Sequence, residues 1–310
     1  MHQDDLIRCL LPVAKATRVV NYGYYLVILF PFFALLLEYS RMAPSQVILF
    51  IVPFVFAMAS GFIYNTICDA EKDPKEKNPI TRGDLSTKQA FLALSAFLLV
   101  AFFLMIFISQ SIAVILLFSV YMCIWFAYSG LGVRLKESIF GPVAASVVLW
   151  SGPSLILLVA FNYFTLSTIS LLFGLFMIYI GHEIKHTIMD HDSDSTQDCK
   201  TFAVILGKKR ASTAEYATLI AGVVFLLAGG YFLPQDSEAG ITLFFAVLFA
   251  AAIISTGLYT LKCNYQVPSV ITRITMLPYI VTKMFIITYG LVVLRLPLIL
   301  VFFVLWFYLL

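Results

Sequence analysis

The sequence predicts an all-helical integral membrane protein: about nine transmembrane helices bundled around a central cavity, with the N-terminus cytoplasmic. Three observations carry that prediction. The chain of 310 residues is 61% hydrophobic and only 12% charged, with a mean hydropathy of +0.96, whereas a soluble domain carries about 25% charged residues. The apolar residues gather into runs of the length that crosses about 30 Å of hydrocarbon as a helix, about 20 residues. Lys and Arg concentrate in alternate connections, the bias that marks the cytoplasmic side.

The runs fall near 18–38, 46–68, 88–109, 111–129, 139–161, 166–189, 213–233, 240–261 and 274–294. A tail, 297–310, follows Arg295 and Pro297; it is short for a span and reads as an incomplete tenth crossing or a surface helix. With the N-terminus inside, the cytoplasmic segments hold Arg8, Lys15 and Arg18, then Lys72, Lys75, Lys77, Arg82 and Lys88. Arg134 and Lys136 follow, then Lys200, Lys208, Lys209 and Arg210, and last Lys262 and Arg273; the opposite side keeps Arg41 and Arg295. Residues 1–17 carry Asp4, Asp5, Arg8 and Lys15 without a small-residue cleavage site, so no cleavable signal peptide is expected. Residues 1–310 read as one domain of two weakly repeated halves, about 1–137 and 138–310, because an acidic cluster closes the second span and another the sixth.

Several function classes fall away early. Cys9, Cys68, Cys123, Cys199 and Cys263 form no C-x-x-C pair, so neither a disulfide framework nor a zinc knuckle is expected. A net charge of +3 is too small to imply nucleic acid. No phosphate-binding G-x-x-x-x-G-K-[ST] loop and no G-x-S-x-G elbow occurs. Glycines such as Gly229-Gly230 are expected to let helices approach closely.

The chemistry sits in the two acidic clusters. Asn65, Asp69 and Asp73 are four residues apart, so a helix would stack them on one face over about 12 Å. Pro74 disfavours helix at Asp73, and the helix is expected to end there. In the second cluster Glu183, His186, Asp190 and Asp194 step by three, four and four and again share a face. Hard oxygen ligands on helix faces suit Mg²⁺, which binds one or two carboxylates and completes its shell with water and substrate phosphate. Lys72, Lys75, Lys77, Arg82, Arg134, Lys136 and Lys200 are placed by topology to neutralise a diphosphate. Arg18 and Asn21, at the start of the first span, are placed to reach the cavity, although a snorkelling anchor suits Arg18 as well. The 29 Phe and 16 Tyr residues supply aromatic faces for an isoprenoid cavity. A competing motif lies inside the second cluster: His182-Glu183-Ile184-Lys185-His186 is a literal H-E-x-x-H, the pattern of a zinc protease with Glu as general base. It would make the chain an intramembrane metalloprotease, but it offers no third ligand besides Asp190 and leaves the first cluster idle.

The two clusters resemble the signatures of the UbiA superfamily of intramembrane prenyltransferases, whose members carry N-x-x-x-D-x-x-x-D and a second D-x-x-x-D. Gly61–Ser86 (GFIYNTICDAEKDPKEKNPITRGDLS) resembles the first, including its trailing N-P-I-x-x-G-x-L-S. Gly181–Gly207 (GHEIKHTIMDHDSDSTQDCKTFAVILG) resembles the second, and Tyr128-Ser129 with Arg134-Leu135-Lys136 a third feature. The second segment is most similar to archaeal-type members that make digeranylgeranylglyceryl phosphate, which often read G-R-E-I-x-K-D-x-x-D; here His182 replaces Arg and His186 replaces Lys. Thr66 and Thr187 stand where many members have Asp, and Asp198 where Gly is common.

The resemblance implies a Mg²⁺-dependent polyprenyl transfer, of a geranylgeranyl or similar group, from the diphosphate to a lipophilic acceptor through an allylic carbocation. The partners implied are a polyprenyl diphosphate, an aromatic, quinone-precursor or glyceryl phosphate acceptor, and the bilayer. Asp69, Asp73, Asp190 and Asp194 would hold two Mg²⁺ with Asn65 completing the first site. Arg18, Asn21, Lys72, Lys75, Lys77, Arg82, Tyr128, Arg134, Lys136, Glu183, His186, Asp198 and Lys200 would contact substrate.

Overall fold

The computed structural model describes residues 11–18, Phe32, Leu36, 44–196 and 199–232. The spans expected near 18–38, 240–261 and 274–294, the tail 297–310, and the candidate site residues Asn21 and Asp198 lie outside the described residues. Residues 11–17 form a short helix. The elements that follow are α1 (Pro44–Cys68), α2 (Pro79–Arg82), α3 (Thr87–Ser109), α4 (Ile112–Ser129), a 3-10 turn (Leu135–Glu137), α5 (Gly141–Ala160), α6 (Leu166–Thr196), α7 (Phe202–Leu206) and α8 (Lys208–Tyr231). No strand occurs among the described residues, and six of the helices are long and apolar enough to cross a membrane.

Local chemistry starts and stops these helices. Asn78 caps α2, its side chain accepting from the Ile80 N–H at 3.0 Å, with Pro79 behind it and Gly83 closing the turn at φ 87°. Ser86 and Gln89 form a capping box at the start of α3, satisfying two N–H groups that a helix end leaves bare. Pro53 and Pro153 stand inside α1 and α5, a placement tolerated in membrane helices where neighbours satisfy the freed carbonyl. α3 turns Leu92, Leu99, Phe103 and Phe107 outward, as a helix facing lipid does.

Small residues set the closest approaches. A Cβ at Gly222 would lie 2.7 Å from Ile178 Cγ1 and 3.0 Å from the Gly174 carbonyl, so α8 meets α6 backbone to backbone. Gly229 is pressed against Leu171 in the same seam, and its carbonyl accepts from Ser167 Oγ at 2.8 Å. α1 meets α4 where the Trp125 ring lies 2.5 Å from the place of a Cβ on Gly61. Between these seams the aromatic core is interlocked: Phe54 meets Phe118 and Tyr121 edge-on at 5.6 and 5.8 Å.

One boundary differs from expectation. α1 ends at Cys68, five residues before Asp73. Its last carbonyls are taken by side chains from later in the chain, Asn78 Nδ2 donating to Thr66 O at 2.9 Å and Arg134 Nη1 to Cys68 O at 3.4 Å, while Thr81 Oγ1 donates to Ala70 O just beyond the helix. The chain leaves the helix because these donors satisfy it there, and Pro74 has nothing left to break. α6 continues beyond the apolar run at 166–189, through Asp190 and Asp194 to Thr196, in keeping with the helical spacing of the second cluster. Its 31 residues span about 46 Å at 1.5 Å per residue, longer than the hydrocarbon thickness.

Candidate active site

A cavity of about 320 Å³ opens between α1, α4, α5 and α6. Asn65 and Phe62 line it from α1, Trp125 and Tyr128 from α4, Ser146, Leu149 and Trp150 from α5, and His182, Glu183, His186 and Asp190 from α6, together with Arg18. The helical steps of four bring Asn65 and Asp190 to this one space from the two halves of the described chain.

Asp69 is one turn beyond Asn65, its N–H bonded to the Asn65 carbonyl at 3.0 Å. Its buried carboxylate takes Lys136 Nζ at 2.6 Å and Arg134 Nη2 at 3.0 Å. Lys136 also donates to Asn65 Oδ1 at 3.3 Å, and Ser129 Oγ donates to the same oxygen at 2.6 Å. The network continues through Glu137, whose Oε1 accepts from Arg134 Nε and from Lys72 Nζ, both at 2.7 Å. Burial alone would raise the Glu137 pKa, but hydrogen bonds from Lys72 and Arg134 and their charges outweigh it and hold the carboxyl below its usual value. Arg134 adopts a left-handed backbone, φ 43°, a conformation costing about 1–2 kcal/mol in a residue with a Cβ.

The expected single stripe over Asn65, Asp69 and Asp73 divides. The Asp73 N–H still bonds to the Asp69 carbonyl at 2.8 Å. Its side chain, however, accepts from Asn78 Nδ2 at 3.2 Å and has no contact with the Lys136 network among the described contacts. In the second cluster, Glu183 accepts from Ser146 Oγ at 2.8 Å. Asp194 accepts from Thr201 Oγ1 at 2.9 Å, which ties the end of α6 to the loop entering α7. Among the expected cations, Lys136 and Arg134 hold the first motif and Lys72 joins them through Glu137. Lys75, Lys77 and Lys200 are exposed, and Arg82 pairs with Asp84. Thr66 and Thr187 are buried and donate to their own helix, at Phe62 O and Ile184 O. Glu137, Asn78, Ser129's bond to Asn65, Ser146 and the two cavity tryptophans were not singled out from sequence. Glu137 had a signal, an acid adjoining Lys136; Ser146 had none, being a small residue in an apolar run.

Asn65, Asp69, Asp73, Asp190 and Asp194 offer hard oxygen donors, and Asn65 and Asp190 share the cavity. Among the described residues, no three His, Cys, Asp or Glu side chains gather into a ready-made metal cage. The oxygens of Asn65 and Asp190 are of the hard donor type that Mg²⁺ takes, with few protein ligands and the rest shared with water and phosphate. Among the described residues no third ligand gathers with His182 and His186, as a catalytic zinc site needs. His182 and His186 meet edge-to-face with ring centroids 4.7 Å apart, His182 lies against Trp150, and Glu183 is held by Ser146.

The chain is similar to a solved structure concerned with digeranylgeranylglyceryl phosphate synthase in membranes, with TM-score 0.72 and 16% identity, covering 93% of this chain and 99% of that one. A UbiA homolog from Archaeoglobus fulgidus bound to DMAPP and Mg²⁺ superposes with TM-score 0.64 at 20% identity, over 94% of this chain and 99% of that one. The apo UbiA homolog from Aeropyrum pernix K1 gives 0.63 at 19% identity, over 89% and 99%. At these identities the likeness is one of fold. No curated protein sequence matches. The UbiA prenyltransferase family matches residues 26–268, most of the chain and both acidic motifs, and the chain belongs to that family.

Proposed function

We propose that this protein transfers a polyprenyl group, geranylgeranyl or similar, from its diphosphate to a lipophilic acceptor, on the cytoplasmic face of the membrane. The observation that carries this reading is the meeting of Asn65 and Asp190 on one cavity, with Asp69 one turn from Asn65 and already set among cations. The solved UbiA homologs bound to GPP and to DMAPP, each with Mg²⁺, support it.

The C–O bond of the allylic diphosphate breaks heterolytically, and its electron pair leaves with the diphosphate. Lys136 and Arg134 turn part of their charge from Asp69 to that leaving group, which is electrostatic stabilisation of developing charge. Asn65, Asp69, Asp73, Asp190 and Asp194 would hold Mg²⁺, which when bound would supply Lewis-acid neutralisation of the diphosphate. Phe62, Trp125, Tyr128 and Trp150 border the cationic carbon with aromatic faces and exclude water that would quench it. The acceptor's nucleophilic atom then donates its pair to the carbon, and its proton passes to the released diphosphate.

In membranes given labelled geranylgeranyl diphosphate, a mixture of lipophilic acceptors and Mg²⁺, labelled prenylated product is expected. It should vanish with EDTA and return with added Mg²⁺. Product formation insensitive to EDTA would contradict the proposal.

A further inference from the structure

The seam between α6 and α8 is built in rungs. Leu171 lies against Gly229, Leu226 against Gly174, Ile178 against Gly222 and Leu219 against Gly181, so a large side chain covers a glycine at each of four levels. Each step of three or four residues along α6 is matched by an equal step back along α8, and the next step brings Lys185 to Glu215. Their charged groups are 3.8 Å apart, and both side chains are buried. Leu171, Ile178 and Lys185 are seven residues apart, as are Gly229, Gly222 and Glu215.

A repeat of seven leaves the apolar rungs ambiguous. If α8 slid along α6 by one repeat, about 10 Å at 1.5 Å per residue, Leu171 would meet Gly222 and Gly174 would meet Leu219, again a large side chain on a glycine. Lipid gives such helices no hydrophobic preference for one register, so packing and polar contacts decide. The charged rung breaks the tie. Slid one way, Lys185 would face Lys208 and Glu215 would lie against Ile178; slid the other way, Glu215 would face Asp192 and Lys185 would lie against Gly222. Each alternative sets like charges together and leaves another charge without an opposite partner in an apolar seam, which is costly.

We propose that Lys185 and Glu215 are positioning residues: their ion pair selects the register of α8 on α6, and through it the placement of the second acidic motif. Fixing register is the best-attested use of a buried charge pair. Asp190, which lines the cavity, is five residues beyond Lys185 on α6. The end of the same helix is tied to the chain leading into α8, by Thr201 on Asp194 and by Lys208 on Asp192, both at 2.9 Å. A slide of about 10 Å would break both ties around the motif. The positioning role rests on the prenyl-transfer reading; the register does not.

The test uses the full-length protein in lipid nanodiscs, with its native cysteines replaced and spin labels on Ser195→Cys and Ile220→Cys. Both positions are exposed, and their axial separation is about 22 Å in the observed register. Pulsed EPR gives the label distance, and titration with geranylgeranyl thiolodiphosphate and Mg²⁺ gives the binding sites per chain. The wild type and Lys185→Arg are expected to show one distance and full binding. Lys185→Met with Glu215→Leu should keep the thermal midpoint, show a second distance about 10 Å from the first, and bind at least twofold less diphosphate per chain. Glu215→Leu with Lys208→Glu moves the acid by one repeat and should favour the second distance, whereas Lys208→Glu alone should keep the first. A single wild-type distance in the neutral pair, whatever its midpoint, or a second distance with full binding would overturn the proposal. Should the neutral pair not fold, the relocated acid decides by the same two readouts. If the wild type fails to bind the thiolodiphosphate, the prenyl-transfer reading falls, while the label distances still decide the register.

Discussion

Asp69 has more positive charge around it than it can neutralise. Lys72, Arg134 and Lys136 stand against Asp69 and Glu137, three cations to two carboxylates, so the network keeps one net positive charge. In the proposed reaction that surplus would be available to a diphosphate, and the left-handed turn at Arg134 holds two of the three cations in position. Glu137 is the joint between them. Its folded pKa is lowered below the ordinary value of 4.5, so its contribution is present above that value and is lost as the pH falls through the folded pKa. Limited proteolysis of the 130–141 loop should therefore be constant across neutral pH and rise only on acidification below about 4.5; cleavage that rises between pH 8 and 6 would contradict this. With Lys72 and Glu137 partly exposed, the stabilisation is screened by solvent. From sequence, the spacing of Asn65, Asp69 and Asp73 exposed the motif, but not that Asp69 turns to Arg134 while Asp73 turns to Asn78. Spacing reports which residues a helix would align, and α1 stops before it can align the last two.

At the scale of the elements, the seam of α6 with α8 positions the second motif, because α6 carries both Gly174 of that seam and Glu183, His186 and Asp190. Gly222→Val should force Ile178 and the Gly174 backbone apart, a cost of about 1–3 kcal/mol for overpacking. It would appear as a lowered thermal midpoint in detergent beside an unchanged Thr213→Ala control on the exposed face. An unchanged midpoint in Gly222→Val would show that the seam is loose. Hydropathy located the six described spans because lipid demands continuous apolar runs. It missed the last turns of α6, since residues 190–196 are polar and hydropathy cannot tell a helix that continues into water from a loop. The end of α1 was hidden for a different reason: Asn78, Thr81 and Arg134, up to 66 residues away, decide it.

On the scale of the whole molecule, α1 and α6 carry their acidic motifs to the same end of the bundle, and among the described residues that end also bears Lys72, Arg134 and Lys136. Lys75→Cys and Gln110→Cys, each in a background with the five native cysteines replaced, should label from opposite sides of a sealed membrane, Lys75→Cys from the cytoplasmic side. Labelling of both from one side would contradict the topology. The central claim is that the two acidic motifs form one diphosphate site, and it is tested most directly by Asp69→Asn and Asp190→Asn in membranes supplied with labelled geranylgeranyl diphosphate, Mg²⁺ and acceptor. Each substitution keeps the side-chain shape and removes a charge, and each is predicted to lower transfer at least a hundredfold. Transfer at the wild-type rate in both variants would contradict the claim.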